Sequence, residues 1–175
     1  MNKNNTSKGA ISIQLTVLPM LLISSMLVTG CDNSTAITAP EPERIRLAAD
    51  QNYVDFGSHV IHVNAMITNE LTPAIAATYD IVRSDSRAML NVVILEKDET
   101  PQGNPALGSV AVKASNLTGQ VKSVDVRKVE DGGNIYYIGD VSIDNQERLS
   151  FQIDVTPDGL SQPMRLVYSH QFYTD

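Results

Sequence analysis

The chain has one cysteine, Cys31, in 175 residues. No intramolecular disulfide can form, and there is no cysteine pair to hold zinc or cycle between redox states. Tryptophan is absent, and six tyrosines and three phenylalanines supply all the aromatic rings. The Cys–Trp–Cys core of antibody-type domains is therefore excluded. Histidine is scarce too: His59, His62 and His170 are the whole set. On a strand, an offset of three points His59 and His62 to opposite faces, which argues against a shared metal. No nucleophile elbow, phosphate-cradling glycine loop or dinucleotide fingerprint occurs. No cofactor is expected.

Basic residues are the minority, thirteen against twenty acidic ones. That balance disfavours nucleic acid, which demands cations for its phosphates. It also predicts repulsion from anionic headgroups. Any membrane attachment must then come from something other than the protein surface.

Such an attachment is legible at the start of the chain. Lys3 and Lys8 precede a mostly apolar run, Ile11 to Leu27, which Val28-Thr29-Gly30-Cys31 closes. The run is short and interrupted by Pro19, which fits an export signal better than a permanent span. Val-Thr-Gly-Cys resembles the bacterial lipobox, so residues 1–30 read as a lipoprotein signal and Cys31 as the lipidated first residue. Acyl chains contribute roughly 0.8 kcal/mol per buried methylene, enough for stable anchoring with two or three chains. Asp32 resembles the enteric signal for inner-membrane retention, which favours the inner over the outer membrane; the alternative is that it merely begins a linker. Without the signal, eleven basic residues face twenty acidic ones, a charge of −9.

Residues 31–50 read as a tether rich in Asn, Ser, Thr, Ala and Pro, with Arg44-Ile45-Arg46-Leu47 as a candidate edge segment. Nineteen flexible residues reach roughly 25 Å. Residues 51–175 carry β patterning. Strand candidates are Tyr53–Phe56, Val60–Ile67, Arg87–Leu95, Val110–Ala114, Val121–Val129, Ile135–Val141, Leu149–Thr156 and Met164–Phe172. The apolar run in Arg87–Leu95 predicts burial on both faces. Thr72-Pro73 predicts one short helix, threonine as cap and proline in the first turn. Glu130-Asp131-Gly132-Gly133 predicts a tight hairpin. About seven strands separated by turn signals predict an all-β, antiparallel, immunoglobulin-like sandwich; a half-open barrel is the alternative.

Five segments carry a resemblance: Ile61-His62-Val63-Asn64-Ala65, Arg83-Ser84 with Arg87-Ala88-Met89-Leu90-Asn91, Asn116-Leu117-Thr118-Gly119-Gln120, Ile135-Tyr136-Tyr137-Ile138 and Gln171-Phe172-Tyr173-Thr174-Asp175. Together they resemble a family of short exported gammaproteobacterial proteins, the domain of unknown function 4426. The likeness spans roughly residues 52–175. It implies an envelope location and no activity or catalytic residue. Many members carry an ordinary export signal, from which the lipobox here departs.

Candidate binding residues follow from the pattern. His62 and Asn64 share a face and can bond across a sheet. Arg83 and Arg87 flank a turn and can take an anion, or pair with carboxylates. Tyr136 and Tyr173 can form a contact patch, since tyrosine anchors interfaces. The acidic turns around Asp144 and Glu96 lack the ligand pattern of a calcium loop. The expectation is a lipid-anchored, periplasm-facing, non-catalytic module with an envelope protein partner. The alternatives are an enzyme whose site forms where His62, Asn64 and Arg87 converge, and a structural or stress-related lipoprotein. Oligomeric state is not legible.

Overall fold

A computed structural model describes residues 41–99 and 103–174. Cys31, Asp32 and the signal lie outside the described residues. Eleven strands are present: β1 (Ile45–Arg46), β2 (Tyr53–Asp55), β3 (His59–Ile67), β4 (Arg87–Glu96), β5 (Asn104–Pro105), β6 (Gly108–Asn116), β7 (Val121–Lys122), β8 (Asp125–Asp131), β9 (Asn134–Ser142), β10 (Arg148–Pro157) and β11 (Met164–Gln171). Seven of them have seven or more residues, matching the predicted number.

Two sheets form. Sheet A has the order β1-β11-β10-β6-β7, and sheet B the order β2-β3-β4-β9-β8, with β5 pairing the end of β4. Every pairing is antiparallel except β1 on β11. The long strands therefore lie β3-β4-β9-β8 over β6-β10-β11, the ABED-over-CFG arrangement of a constant-type immunoglobulin fold. Where antibody domains place a disulfide and tryptophan, this core stacks aliphatics and Phe151: Ile61, Leu90, Ile94, Leu149, Phe151 and Ile153 are fully buried.

The alternation that predicted the strands is the alternation that fills this core. Ile61, Val63, Ala65 and Ile67 of β3 point inward, as do Leu149, Phe151, Ile153 and Val155 of β10. On β4 the inward face, Ala88, Leu90, Val92 and Ile94, is fully buried, whereas the outward face is buried at Met89 and half-buried at Asn91, Val93 and Leu95, so the burial on both faces that the apolar run predicts is complete only at Met89. The covering element is helix α1 (Pro73–Thr78), which lies over the outer face of sheet B. Leu71 and Ala76 pack there on Met89 and Ile138. The Thr72 hydroxyl accepts from the Ile75 N–H, and Pro73 sits in the first turn. Asp80 ends the helix with φ of 50°, and the Ile81 N–H returns to the Ala76 carbonyl at 2.8 Å.

Two boundaries differ from the sequence reading. Val121–Val129 is not one strand: β7 pairs β6 in sheet A, and β8 pairs β9 in sheet B. The chain changes sheets at Ser123–Val124, and a local apolar pattern cannot register a change of partner. Within the segment read as tether, Ile45–Arg46 pairs with Leu166–Val167, so ordered backbone begins before residue 51. The hairpin at Gly132-Gly133 is as predicted. Both glycines have positive φ, 56° and 84°, which the tight β8–β9 connection requires.

Candidate functional site

The side of the sandwich bounded by β1 and β11 in one sheet and β2 and β3 in the other is only partly closed. Strand β1 has two residues and β2 three, too short to cover the long strands they flank. Two hollows open along this seam.

The first is an apolar groove of about 620 Å³. Ile45, Phe56, Leu160, Pro163 and Met164 line it, with Arg44 and Arg165 on its rim. Ile45 and Leu160 are 46% and 42% exposed, two of the few large apolar side chains left in solvent. Phe56 closes the inner wall, packed against the core.

The second hollow, about 500 Å³, is more polar. Asn64–Ile67 of β3, Glu70, His170 and Tyr173 surround it. Here β3 is no longer paired by β2, whose last contact is Asn52 accepting from the Val63 N–H at 2.7 Å. The Tyr168 hydroxyl lies 3.3 Å from His170 Nδ1 on the same strand. The His170 ring is stacked on Tyr168 at 6.2 Å and meets Phe172 edge-on at 4.8 Å, centroid to centroid. Burial holds its pKa below the ordinary histidine value, and the Glu70 carboxylate opposes that shift.

The structure brings together only some of the residues chosen from sequence. Asn64 and Tyr173 line the polar hollow together, Tyr173 being 66% exposed. His62 lies one step along the same strand face, its ring 5.6 Å from that of Tyr53. Burial lowers its pKa. Arg87 is elsewhere. It pairs across β4–β9 with Asp140, Nε 3.1 Å from both carboxylate oxygens and Nη2 2.5 Å from one. His62 is in register with Val93, six residues along β4 from Arg87, so the two Cα positions are about 20 Å apart. The convergence of His62, Asn64 and Arg87 that an enzymatic site called for does not form. A strand's rise separates what the sequence lists closely.

Arg83 donates to the Asn69 carbonyl at 2.8 Å, which fastens the loop after β3 rather than leaving a free anion site. Tyr136 is not an exposed partner for Tyr173. It lies half-buried beneath α1, 6.1 Å from the Tyr79 ring, because the outward face of β9 is roofed by the helix. The acidic turns are met by donors of the chain itself: the Lys122 ammonium is 2.5 Å from Glu147, and the neutral Asn104 amide donates to Asp98 at 2.6 Å. No group of three or more potential metal ligands gathers among the described residues. No described helix is long and apolar enough to cross a membrane.

Sequence reasoning missed both seam hollows. The signal for the apolar one was present, in Leu160 and Pro163 of an otherwise polar turn and Ile45 beside arginines. Only the fold places those residues side by side.

The fold class is an all-β sandwich with immunoglobulin-like strand order. Residues 53–175 match the family model described as Domain of unknown function (DUF4426), and the chain belongs to that family. The crystal structure of a DUF4426 family protein from Pseudomonas aeruginosa PAO1 is similar at 29% identity and a TM-score of 0.62, covering 70% of this chain and 94% of that one. FetP of uropathogenic E. coli strain F11, recombinantly expressed in the periplasm, aligns at 9% identity and a TM-score of 0.49 over 70% of this chain and 93% of its own. A likeness that distant transfers no function. No curated protein matches the chain.

Proposed function

We propose that this protein is a lipid-anchored, periplasm-facing module of the cell envelope that binds an apolar segment of an envelope protein and catalyses no reaction. The observation that carries the reading is the groove lined by Ile45, Phe56, Leu160, Pro163 and Met164. Contiguous exposed apolar surface on a small acidic domain marks a contact site. Ile45 of the groove is fourteen residues from Cys31 in the chain. The lipobox reading of Val28–Cys31 supplies the anchor, and Asp32 favours the inner membrane.

Cys31→Ser tests the anchor. The variant is expected to lose labelling by radioactive palmitate, and retained labelling would disprove lipidation at that sulfur. A photo-crosslinking residue at position 45 tests the groove in cells. A discrete protein adduct is expected there, lost when Leu160→Asp is added. The same crosslinker at Leu117, 83% exposed on the β6–β7 turn, is the control. An adduct pattern identical at positions 45 and 117 would remove the groove from consideration.

A further inference from the structure

The fold sorts the charge that the sequence leaves mixed. Of the eleven basic residues among the described segments, eight have a hydrogen bond or ion pair. Arg83 and Arg127 donate to backbone carbonyls. Arg87, Lys97, Lys122 and Lys128 pair with Asp140, Asp55, Glu147 and Glu130. Arg44 and Arg165 flank Asp154, and Glu41 also pairs with Arg44. The three that remain are Arg46, Lys113 and Arg148, all exposed.

Those three share one surface. Arg46 is in register with Val167, Val167 with Gln152, and Gln152 with Lys113, so all four side chains form a row across the outward face of sheet A. At about 4.8 Å between strands, Arg46 and Lys113 stand roughly 14 Å apart. Arg148 lies on the same face of β10, four residues from Gln152, about 13 Å along the strand. Arg44 and Arg165 complete the face through Asp154. Five cations thus stand against Asp154 and Glu41, a surplus of three on a chain whose total is strongly negative. A polar depression of about 240 Å³ opens between Arg44, Arg46 and Gln152 on this surface. The chain joins this sheet at its edge strand, β1.

The geometry points to the outward face of sheet A as a docking surface for an anionic phospholipid bilayer. This inference rests on the tethered placement proposed above and adds the orientation of the domain. Unpaired cations spaced across the outward face of the sheet complement a plane of phosphates, and Asp154 and Glu41 are each already paired with an arginine there. Each lysine or arginine near such a surface changes the bound-to-free ratio by about fivefold at low salt. The three free cations together account for a factor on the order of a hundred. The net charge, which predicted repulsion, averages over a molecule whose faces differ in sign.

The full chain, reconstituted into phosphatidylcholine vesicles with or without phosphatidylglycerol, tests the orientation. A fluorescent amino acid replaces either Ser169, exposed on the outer face of sheet A, or Ala77, exposed on α1 beyond sheet B. A nitroxide on the lipid headgroups is the quencher. Quenching at position 169 is expected to exceed that at position 77 several-fold in phosphatidylglycerol vesicles. The difference is expected to vanish in pure phosphatidylcholine, in high salt, and in the combined variant Arg46→Gln, Lys113→Gln, Arg148→Gln. Equal quenching at the two positions overturns the proposal, as does a difference that survives the triple substitution. Protection of position 169 by lipopolysaccharide micelles but not by phosphatidylglycerol vesicles overturns the bilayer as occupant. The mass of the reconstituted chain reports acylation of Cys31 separately. An unacylated chain therefore counts against the anchor, while the contrast between the two probes decides the docking face.

Discussion

The Tyr137 hydroxyl holds both backbone groups of Gly108, accepting from its N–H at 2.9 Å and donating to its carbonyl at 3.0 Å. Tyr137 belongs to sheet B and Gly108 opens β6 in sheet A, so one side chain clasps the two layers. A Cβ at position 108 would stand 2.6 Å from the Thr156 carbonyl oxygen and 2.9 Å from the Pro157 Cα, both backbone atoms. Tyr137→Phe removes both partners from the part-buried Gly108 backbone groups and is expected to cost about 1 kcal/mol. Gly108→Ala forces backbone to move and is expected to cost about as much or more. Urea unfolding checks both, and an unchanged midpoint for Tyr137→Phe would show the clasp to be dispensable.

A second tie joins β7 to the β9–β10 connection. Lys122 donates to Glu147 at 2.5 Å and to the Ser142 carbonyl at 3.0 Å. Burial raises the Glu147 pKa, but the Lys122 ammonium, the Asp144 N–H and Asn116 outweigh it, and the net shift is downward. A depressed carboxyl contributes stability above its ordinary pKa and loses it as pH falls through the folded value. The contribution is therefore complete above about pH 4.5 and fades below it. Glu147→Gln leaves the buried Lys122 ammonium only the exposed Asp144 carboxylate, 3.7 Å away, and is expected to cost about 2–3 kcal/mol at neutral pH. The difference from the parent should shrink under acid, as followed by Tm.

Histidine titration adds a milder dependence nearer neutrality. His62 and His170 are held below the ordinary histidine pKa by burial, so each folded site disfavours the proton. Their stabilisation is present above about pH 6.5 and is lost as pH falls through the folded values. Tm is expected to decline across that window, less steeply in His170→Phe, which keeps a ring between Tyr168 and Phe172. NMR titration should place both histidines below a free-peptide reference. A value above it for His170 would mean that Glu70 dominates over burial.

Helix α1 should be separable from the sandwich. The Tyr79 hydroxyl donates to Asp131 at 2.9 Å and Arg127 donates to the Tyr79 carbonyl, so the helix is latched to β8. Thr72→Ala removes the cap and is expected to cost about 1 kcal/mol. Ile138→Ala empties the layer under the helix and is expected to cost about 2–4 kcal/mol. Amide exchange should accelerate over residues 76–81 in Thr72→Ala while the β10 amides stay protected. Uniform acceleration would show the helix to be part of the global unit.

Much of the fold was written in period-two alternation. The inward sets of β3, β10 and β11, the capped helix and the Gly132-Gly133 hairpin rest on interactions a few residues long, and all appear where their patterns stand. The site was less legible. Asn64 and Tyr173 meet because β3 loses its neighbour where β11 ends, a coincidence of two edges 109 positions apart in the chain. Arg87 read as an anion ligand or as half of an ion pair with a local carboxylate, and only the fold supplies its partner, Asp140, 53 residues away. Tyr136 looked exposed because nothing in its own strand reveals that α1 lies above it.

By itself, the sequence determined the strand faces, the turns, the missing disulfide and the sum of the charges. Each is a property of composition or of neighbours along the chain, and backbone geometry converts it directly into local structure. Only the tertiary structure decided which sheet each strand joined, which faces stayed wet and where the unpaired cations gathered. Those outcomes depend on pairings between distant segments. Alternation says that a side chain points out of a strand, but what meets it there is set by register and layer order.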